Sequence, residues 1–461
     1  MKYIITAFLL LTGILVFSQS INQEDLKKHV SYLASDELKG REPGTDGDMR
    51  SAEYIRNEFK KFDLQLLGEN GFQFFDIVNG IKALDNNHLY IDKFSCKVFE
   101  DNTPFPFSGN GTVSSTVVFV GYGFDIQTEN LKRNDYEGID AAGKWVLILR
   151  GNHEPDSKNS NFTNFSSDLS KVMTAVKKGA AGVLLVSGES FDKNDKLVEL
   201  KYGRGNAQTE IPVLQIKREL ANKIFNNGKT ILDYEKQLIE SKTPHSFKTK
   251  SQVKGTVNIE YLKIQTQNVI GMIPGNNKSL SDQYIFVGAH YDHLGMGGKN
   301  SGSRMPDTIA VHNGADDNAS GVASMLEIAE KFKDENIRPD RSIVFMAFGA
   351  EEKGLLGSAY FINHPLVELK NIFCMVNLDM TGRLNEQKIL TVSGTGTAKE
   401  FDTLIESFKS KTDLNLVSSP GGYGASDHSS FYVNDIPVLF FNTGAHQDYH
   451  TPFDDTELIN F

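Results

Sequence analysis

The spacing of apolar residues changes twice along this chain, and each change predicts a different set of elements. Between Ile21 and Phe62 hydrophobic positions recur at helical spacing, with Ala52, Ile55, Phe59 and Phe62 on one face. The Gly- and Pro-containing REPGTDG interrupts that pattern, so two helices joined by a turn are predicted. Up to about Phe107 the chain then reads as extended pieces ending in the turn-rich NTPFPFSGNG.

From about Thr112 to Val257 the pattern is one of short β runs and a helix. VVFVGYGF, KWVLILRG, AGVLLVSG and IPVLQI are strand-like, KVMTAVKKGA is helical, and the polar NHEPDSKNSNFTNFSSD reads as an exposed loop. Few His or carboxylate clusters fall near strand ends in this block, so an auxiliary module is expected. From Ile259 onward YIFVGAH, SIVFMAFGA, NIFCMVNLDM, KILTVSG and IPVLFFN alternate with helix patterns such as NASGVASMLEIAEKF and KEFDTLIESFK. That alternation predicts an α/β sheet with helices on both faces.

Composition narrows the function classes. The 461 residues are 39% hydrophobic and 23% charged, enough for one large or two moderate domains. A net charge of −11 with no run of basic residues excludes a nucleic-acid footprint. At the N-terminus, Lys2 precedes an apolar run from Ile4 to Phe17 and then small or polar residues. This fits a signal peptide over residues 1–18, with a secreted or periplasmic mature chain and no stable membrane anchor. No Cys follows that run, so no lipid attachment is expected. Cys96 and Cys374 are the only cysteines, without metal-ligand spacing, and Cys374 reads as a small buried thiol.

In open α/β sheets functional groups gather beyond the carboxyl ends of strands. Reading those ends in order gives His290 and Asp292 after YIFVGAH, Asp317 in GADDNASG before a helix, Glu351 and Glu352 after SIVFMAFGA, Asp379 after NIFCMVNL, and His450 in DYHTPFDD. Two imidazoles and three carboxylates (His290, Asp317, Glu352, Asp379, His450) suit zinc, as a pair if one carboxylate bridges. His293, His312, His428 and His446 stand close enough in sequence to replace a ligand, while ASDHSSF is expected to shape a loop around the substrate pocket.

The motifs GAHYDHLG, GADDNASG, AEEKGLLGS, NLDM, ASDHSSF and YHTPFDD, in that order, resemble the zinc-dependent aminopeptidase family that includes secreted bacterial leucine aminopeptidases. GREPGT and AEYIRNEF match as well, and the middle block resembles the protease-associated domain inserted in that family. The resemblance implies a mixed, mostly parallel sheet plus a β-rich insertion. It divides the chain into residues 19–111, the N-terminal part of the peptidase domain; 112–258, the insertion; and 259–461, the catalytic domain. It makes Asp317 the bridge between two zinc ions, with His290 and Asp379 on one and Glu352 and His450 on the other. It further implies Glu351 as general base, Tyr449 as oxyanion stabiliser, Asp292 as the acceptor that orients His290, a cis peptide at Asp317–Asn318, and peptide substrates with a free N-terminus. A carboxypeptidase or glutaminyl cyclase of the same fold, or a non-catalytic receptor-like binding protein, stays open as an alternative. A carboxypeptidase would need a cation for the substrate's carboxylate, and Arg304 and Arg383 are the nearest candidates. The closing DDTELINF reads as the start of a helix, and relatives continue further, so a truncated or unusually short chain is expected.

Overall fold

The apolar runs after Ile259 form strands β1 (Ile259–Ile273), β2 (Tyr284–His290), β3 (Ser342–Phe348), β4 (Ile372–Leu378), β5 (Ile389–Ser393), β6 (Asn415–Ser419) and β7 (Val438–Asn442). The computed structural model describes residues 21–155, 157, 160–202 and 208–461, so the expected signal peptide over residues 1–18 lies outside the described residues. The chain divides into two compact units: residues up to Ile77 together with Ile264–Phe461, and Val78–Lys263.

In the first unit the centre of a nine-stranded sheet is parallel, in the order β3-β2-β4-β7. β1 lies antiparallel beside β3, and Gln65–Leu66 and Phe72–Ala83 both pair with β1. β5 lies antiparallel beside β7 and carries β6 in parallel. The sheet is thus mixed and mostly parallel at its core.

The helices are α1 (Gln23–Leu33), α2 (Asp46–Lys61), α3 (Gly321–Asp334), α4 (Leu356–Asn363), α5 (Phe401–Lys409) and α6 (His428–Tyr432). Alternate residues of β3 explain how they layer. Phe345 and Ala347 pack with Val30 and Leu33 of α1, Ile55 and Phe59 of α2, and Val322 and Leu326 of α3. Val344, Met346 and Phe348 face the other way, against Phe361 of α4 and Phe431 of α6. Burial on both faces is why β3 reads as a continuous apolar run. Each such Val, Ile, Leu or Phe contributes roughly 1.5–3 kcal/mol relative to exposure. The helix starts agree with local sequence: Asn22 caps α1 through Asp25 N–H, and Thr45 caps α2 through Asp48 N–H.

The second unit is built on an eight-stranded sheet, in which Gly111–Phe119, Trp145–Leu149, Gly182–Val186 and Val213–Ile216 are neighbours in that order. Residues 78–111, expected with the peptidase part, belong here: His88–Ile91 pairs with Phe247–Val257, and Asn102–Pro104 pairs with Val213–Ile216. Those partners are more than a hundred residues away, so the strand pairing that recruits 78–111 is not legible in local sequence. The helix predicted in KVMTAVKKGA spans Asp168–Lys177. The polar 152–168 segment is not simply exposed, because His153 and Phe162 bury against each other with ring centroids 4.3 Å apart. DDTELINF forms only a short 3-10 turn, Thr456–Leu458. Cys96 and Cys374 are both unpaired and buried. Among the described residues no helix is long and apolar enough to cross a membrane.

Candidate metal centre

Because β2, β3, β4 and β7 point the same way, the turns after them leave one edge of the sheet. His290 is the last residue of β2, Glu351 and Glu352 lie in the turn after β3, Asp379 directly follows β4, and the loop after β7 carries Tyr449 and His450. Asp317 arrives from the loop ahead of α3, and its peptide to Asn318 is cis. Ala350, Met380 and His450 adopt left-handed φ beside these groups, a conformation that costs non-glycine residues energy and turns the chain sharply.

The five carboxylate and imidazole groups converge around Asp317. His290 Nε2 lies 3.2 Å from Asp317 Oδ1 and 3.5 Å from Asp379 Oδ1. His450 Nε2 lies 3.1 Å from both Asp317 Oδ2 and Glu352 Oε1. One Asp317 oxygen therefore faces each group. His293 also enters: its Nδ1 is 3.0 Å from Glu352 Oε1 and 3.8 Å from Asp317 Oδ2. It displaces none of the five but joins the Glu352 side. The other neighbouring histidines stay apart. His312 bonds Ser303, His428 stacks on Phe440, and His446 lies 3.3 Å from Asp316.

Electrostatics follow from this crowding. Burial opposes charge on His290, yet Asp379, Glu351 and Asp317 raise its pKa well above the usual imidazole range. For His450 burial again opposes, and Asp317 and Glu352 lift it to about 10. Against burial and Asp317, His293 and His450 hold Glu352 down to about 2. Glu351 behaves differently: burial raises it well above the carboxylate range, Glu352, Asp427 and Asp379 add to that, and His290 opposes. Two adjacent glutamates are thus pushed in opposite directions.

Asp292 supports the turn more than the imidazole. Its carboxylate accepts the main-chain N–H groups of Glu351 at 2.9 Å and Glu352 at 3.2 Å. The ring of His290 instead bonds through Nδ1 to the main-chain oxygen of Asp292 at 3.2 Å, with the carboxylate at 3.8 Å. Asp292 thus meets His290 through its main-chain oxygen, while its carboxylate accepts the two amide donors.

Two supporting residues were not singled out from sequence. Arg41, fully buried in the GREPGT stretch, donates to the main-chain oxygens of Tyr291 (2.6 Å), Asn313 (2.6 Å), Gly314 (3.0 Å) and Leu33, tying the loops that carry His290 and Asp317. Asp454 accepts N–H from Asp316 and Asp317, each at 3.0 Å. Gly314, at φ +58°, cannot be replaced freely, since a Cβ there would sit 2.2 Å from Asp317 O and 2.6 Å from the His293 ring. The only sequence signal for Arg41 and Asp454 was membership of the quoted motifs.

The donor set fits a metal pair. Ligand atoms of His290, Asp317 and Asp379 lie within 4.8 Å of one another, as do those of His293, Asp317 and Glu352. His293 Nε2 is buried and makes no hydrogen bond among the described residues. Imidazole with carboxylate is a set that suits zinc and neighbouring divalent ions. The cluster opens into a cavity of about 290 Å³, lined also by Glu351, Tyr449, Asn442 and the apolar Met380, Ala425, Phe440 and Ala445.

Residues 268–461 match the description "Peptidase family M28", and residues 113–224 match the PA domain. Residues 268–461 are similar to peptidase family M28. Among its relatives, Aminopeptidase YwaD of Bacillus subtilis (strain 168) is 28% identical over 336 residues, covering 70% of this chain and 59% of the relative. A probable leucine aminopeptidase of Arthroderma otae is 30% identical over 207 residues, covering 42% of this chain and 52% of the relative. The chain thus spans between 52% and 59% of the length of these two curated relatives. In fold it resembles the aminopeptidase from Aneurinibacillus sp. strain AM-1, with a TM-score of 0.52 and 22% identity over 96% of this chain and 90% of that one. The M28 match contains every group of the centre, whereas Arg41 lies ahead of it in sequence and inside the same compact unit.

Proposed function

We propose that this chain is an exported di-zinc aminopeptidase that removes N-terminal residues from peptides. The observation that carries the reading is the pair of ligand groups sharing Asp317, open to a cavity that also holds Glu351 and Tyr449. Asp317 would bridge the ions, with His290 and Asp379 holding one, and Glu352 and His450 the other, beside His293. When bound, zinc supplies Lewis acidity toward water and the scissile carbonyl.

The remaining work falls to side chains. Glu351, which lines the cavity beside the ligand groups, takes the proton of the attacking water and passes it to the leaving amine. Tyr449, stacked on His450 with ring centroids 3.8 Å apart, is held at the cavity wall, where its hydroxyl can donate to the developing oxyanion. Four carboxylates and no Lys or Arg are among the described residues lining the cavity. Two bound zinc ions would balance those four carboxylates, so the preference for a free N-terminus rests on the lack, among the described lining residues, of a Lys or Arg to hold a substrate's carboxylate. Arg383 is engaged by Asp448 at 2.9 Å and Arg304 donates to Gln447 O at 3.2 Å, so neither candidate cation for a carboxypeptidase lines the cavity.

The test is hydrolysis of aminoacyl arylamides and free-amine dipeptides beside N-blocked peptides, before and after chelation and zinc restoration. Cleavage of free-amine substrates that chelator abolishes and zinc restores supports the reading; activity indifferent to chelator, or confined to N-blocked peptides, sinks it. Export rests on the apolar run after Lys2, and N-terminal sequencing of protein from the cell exterior or periplasm tests it.

A further inference from the structure

We propose that His29, Glu327 and Glu330 form a separate structural site for one divalent transition-metal ion, at the seam where α1 packs on α3. Their ligand atoms, one from each residue, all lie within 4.8 Å of one another. Glu327 and Glu330 are three residues apart on α3 and so share a face, and His29 approaches from α1.

The cluster is more than a patch of surface acids. His29 is 1% exposed and Glu327 3% exposed. His29 Nε2 and Glu327 Oε1 are 3.5 Å apart, and neither makes a hydrogen bond among the described residues. Buried polar atoms are normally satisfied, so two that converge without a bond point to a shared partner between them. The other imidazole nitrogen is provided for: Nδ1 lies 2.7 Å from the Tyr54 hydroxyl. With Nδ1–H donating to that oxygen, the Nε2 lone pair faces the two glutamates, the arrangement that metal-binding imidazoles usually adopt. Tyr54 is itself fixed by stacking on Tyr32, with ring centroids 4.2 Å apart.

The third group fits the same reading. Glu330 is half-buried, and its carboxyl is raised by burial and then by Glu327, Asp25 and Asp334, a concentration of negative charge that a cation relieves. One imidazole with two carboxylates selects zinc, cobalt or nickel over calcium and magnesium, which prefer oxygen alone. The half-exposed Glu330 leaves room for water as a further ligand. The ion would fasten α1, and through it the N-terminal end of the unit, to the core helix that begins just after Asp317.

Zinc-loaded crystals of the full chain, measured at the zinc absorption edge, test this. An anomalous peak between His29 Nε2 and Glu327 is expected, independent of peaks at Asp317, so failure here and failure of the di-zinc reading are separable. In solution Glu330→Gln, at a half-exposed position that folding tolerates, is expected to lose about one zinc per chain and to lower the melting temperature in zinc buffer. Peptidase activity should change less than about twofold. Glu327→Gln should give the same zinc loss. No peak at this seam, together with unchanged zinc content in Glu330→Gln, overturns the proposal and leaves a buried His29–Glu327 ion pair only.

Discussion

Glu351 and Glu352 share a peptide bond and little else. The main-chain N–H groups of both are clamped by the Asp292 carboxylate, so the turn sends one side chain into the cavity and the other toward His293 and His450. A paired experiment follows. Glu351→Gln should keep its zinc and lose about a thousandfold in kcat, the size expected when acid–base and electrostatic assistance disappear together. Glu352→Gln should lose zinc first and activity in consequence, read by metal content beside kinetics. Equal zinc loss in both variants would contradict the division of labour. His293 sharpens the picture: at 3.0 Å from Glu352 it predicts that His293→Ala weakens zinc retention on that side by tenfold or more, as loss of a metal-supporting group commonly does. Unchanged zinc affinity would leave it a packing residue.

At the scale of elements, the second unit contains a probe of its own. Trp145, the single tryptophan of the chain, is fully buried there, and a Cβ built on Gly182 of the neighbouring strand would stand 2.5 Å from its ring. Gly182→Ala should therefore destabilise this unit by about 1–3 kcal/mol, seen as an earlier unfolding midpoint in tryptophan fluorescence. Lys171, on the Asp168–Lys177 helix, is 1% exposed and donates to Tyr122 O at 2.7 Å and Leu149 O at 2.9 Å. Burial lowers its pKa from 10.5 to about 7, against the pull of Asp168 and Asp135. Between those two values the unfolded lysine binds a proton that the folded one does not, so stability from this residue rises with pH from about 7 to 10. Relative to Lys171→Met, the wild-type midpoint should climb across that window by the equivalent of a few kcal/mol, on the order set by the shift. A difference that stays flat with pH would rule this out. Strand existence in this unit was legible from β-rich runs, but its membership was not, because residues 78–111 are recruited by partners more than a hundred residues away.

For the whole chain, the cost of gathering Asp292, Asp317, Glu351, Glu352 and Asp379 in one buried region has to be met by positive charge. Chelation should lower the melting temperature reversibly, and zinc at a hundredfold over its dissociation constant should restore about 2.7 kcal/mol per site. A melting temperature insensitive to both would mean that the fold does not depend on the ions. The sequence by itself determined most of the strands and helices and where chemistry-bearing side chains gather: short apolar runs bounded by turns read as strands, and carboxylates or imidazoles recur just past their ends. It did not determine who meets whom. The order β1-β3-β2-β4-β7-β5-β6, the entry of His293, the clamp made by Arg41, and the use of the Asp292 carboxylate on amides rather than on an imidazole were settled by the tertiary structure alone. The physical reason is that each depends on hydrogen bonds and contacts between segments tens to hundreds of residues apart, and residue spacing carries no information about distances across a fold.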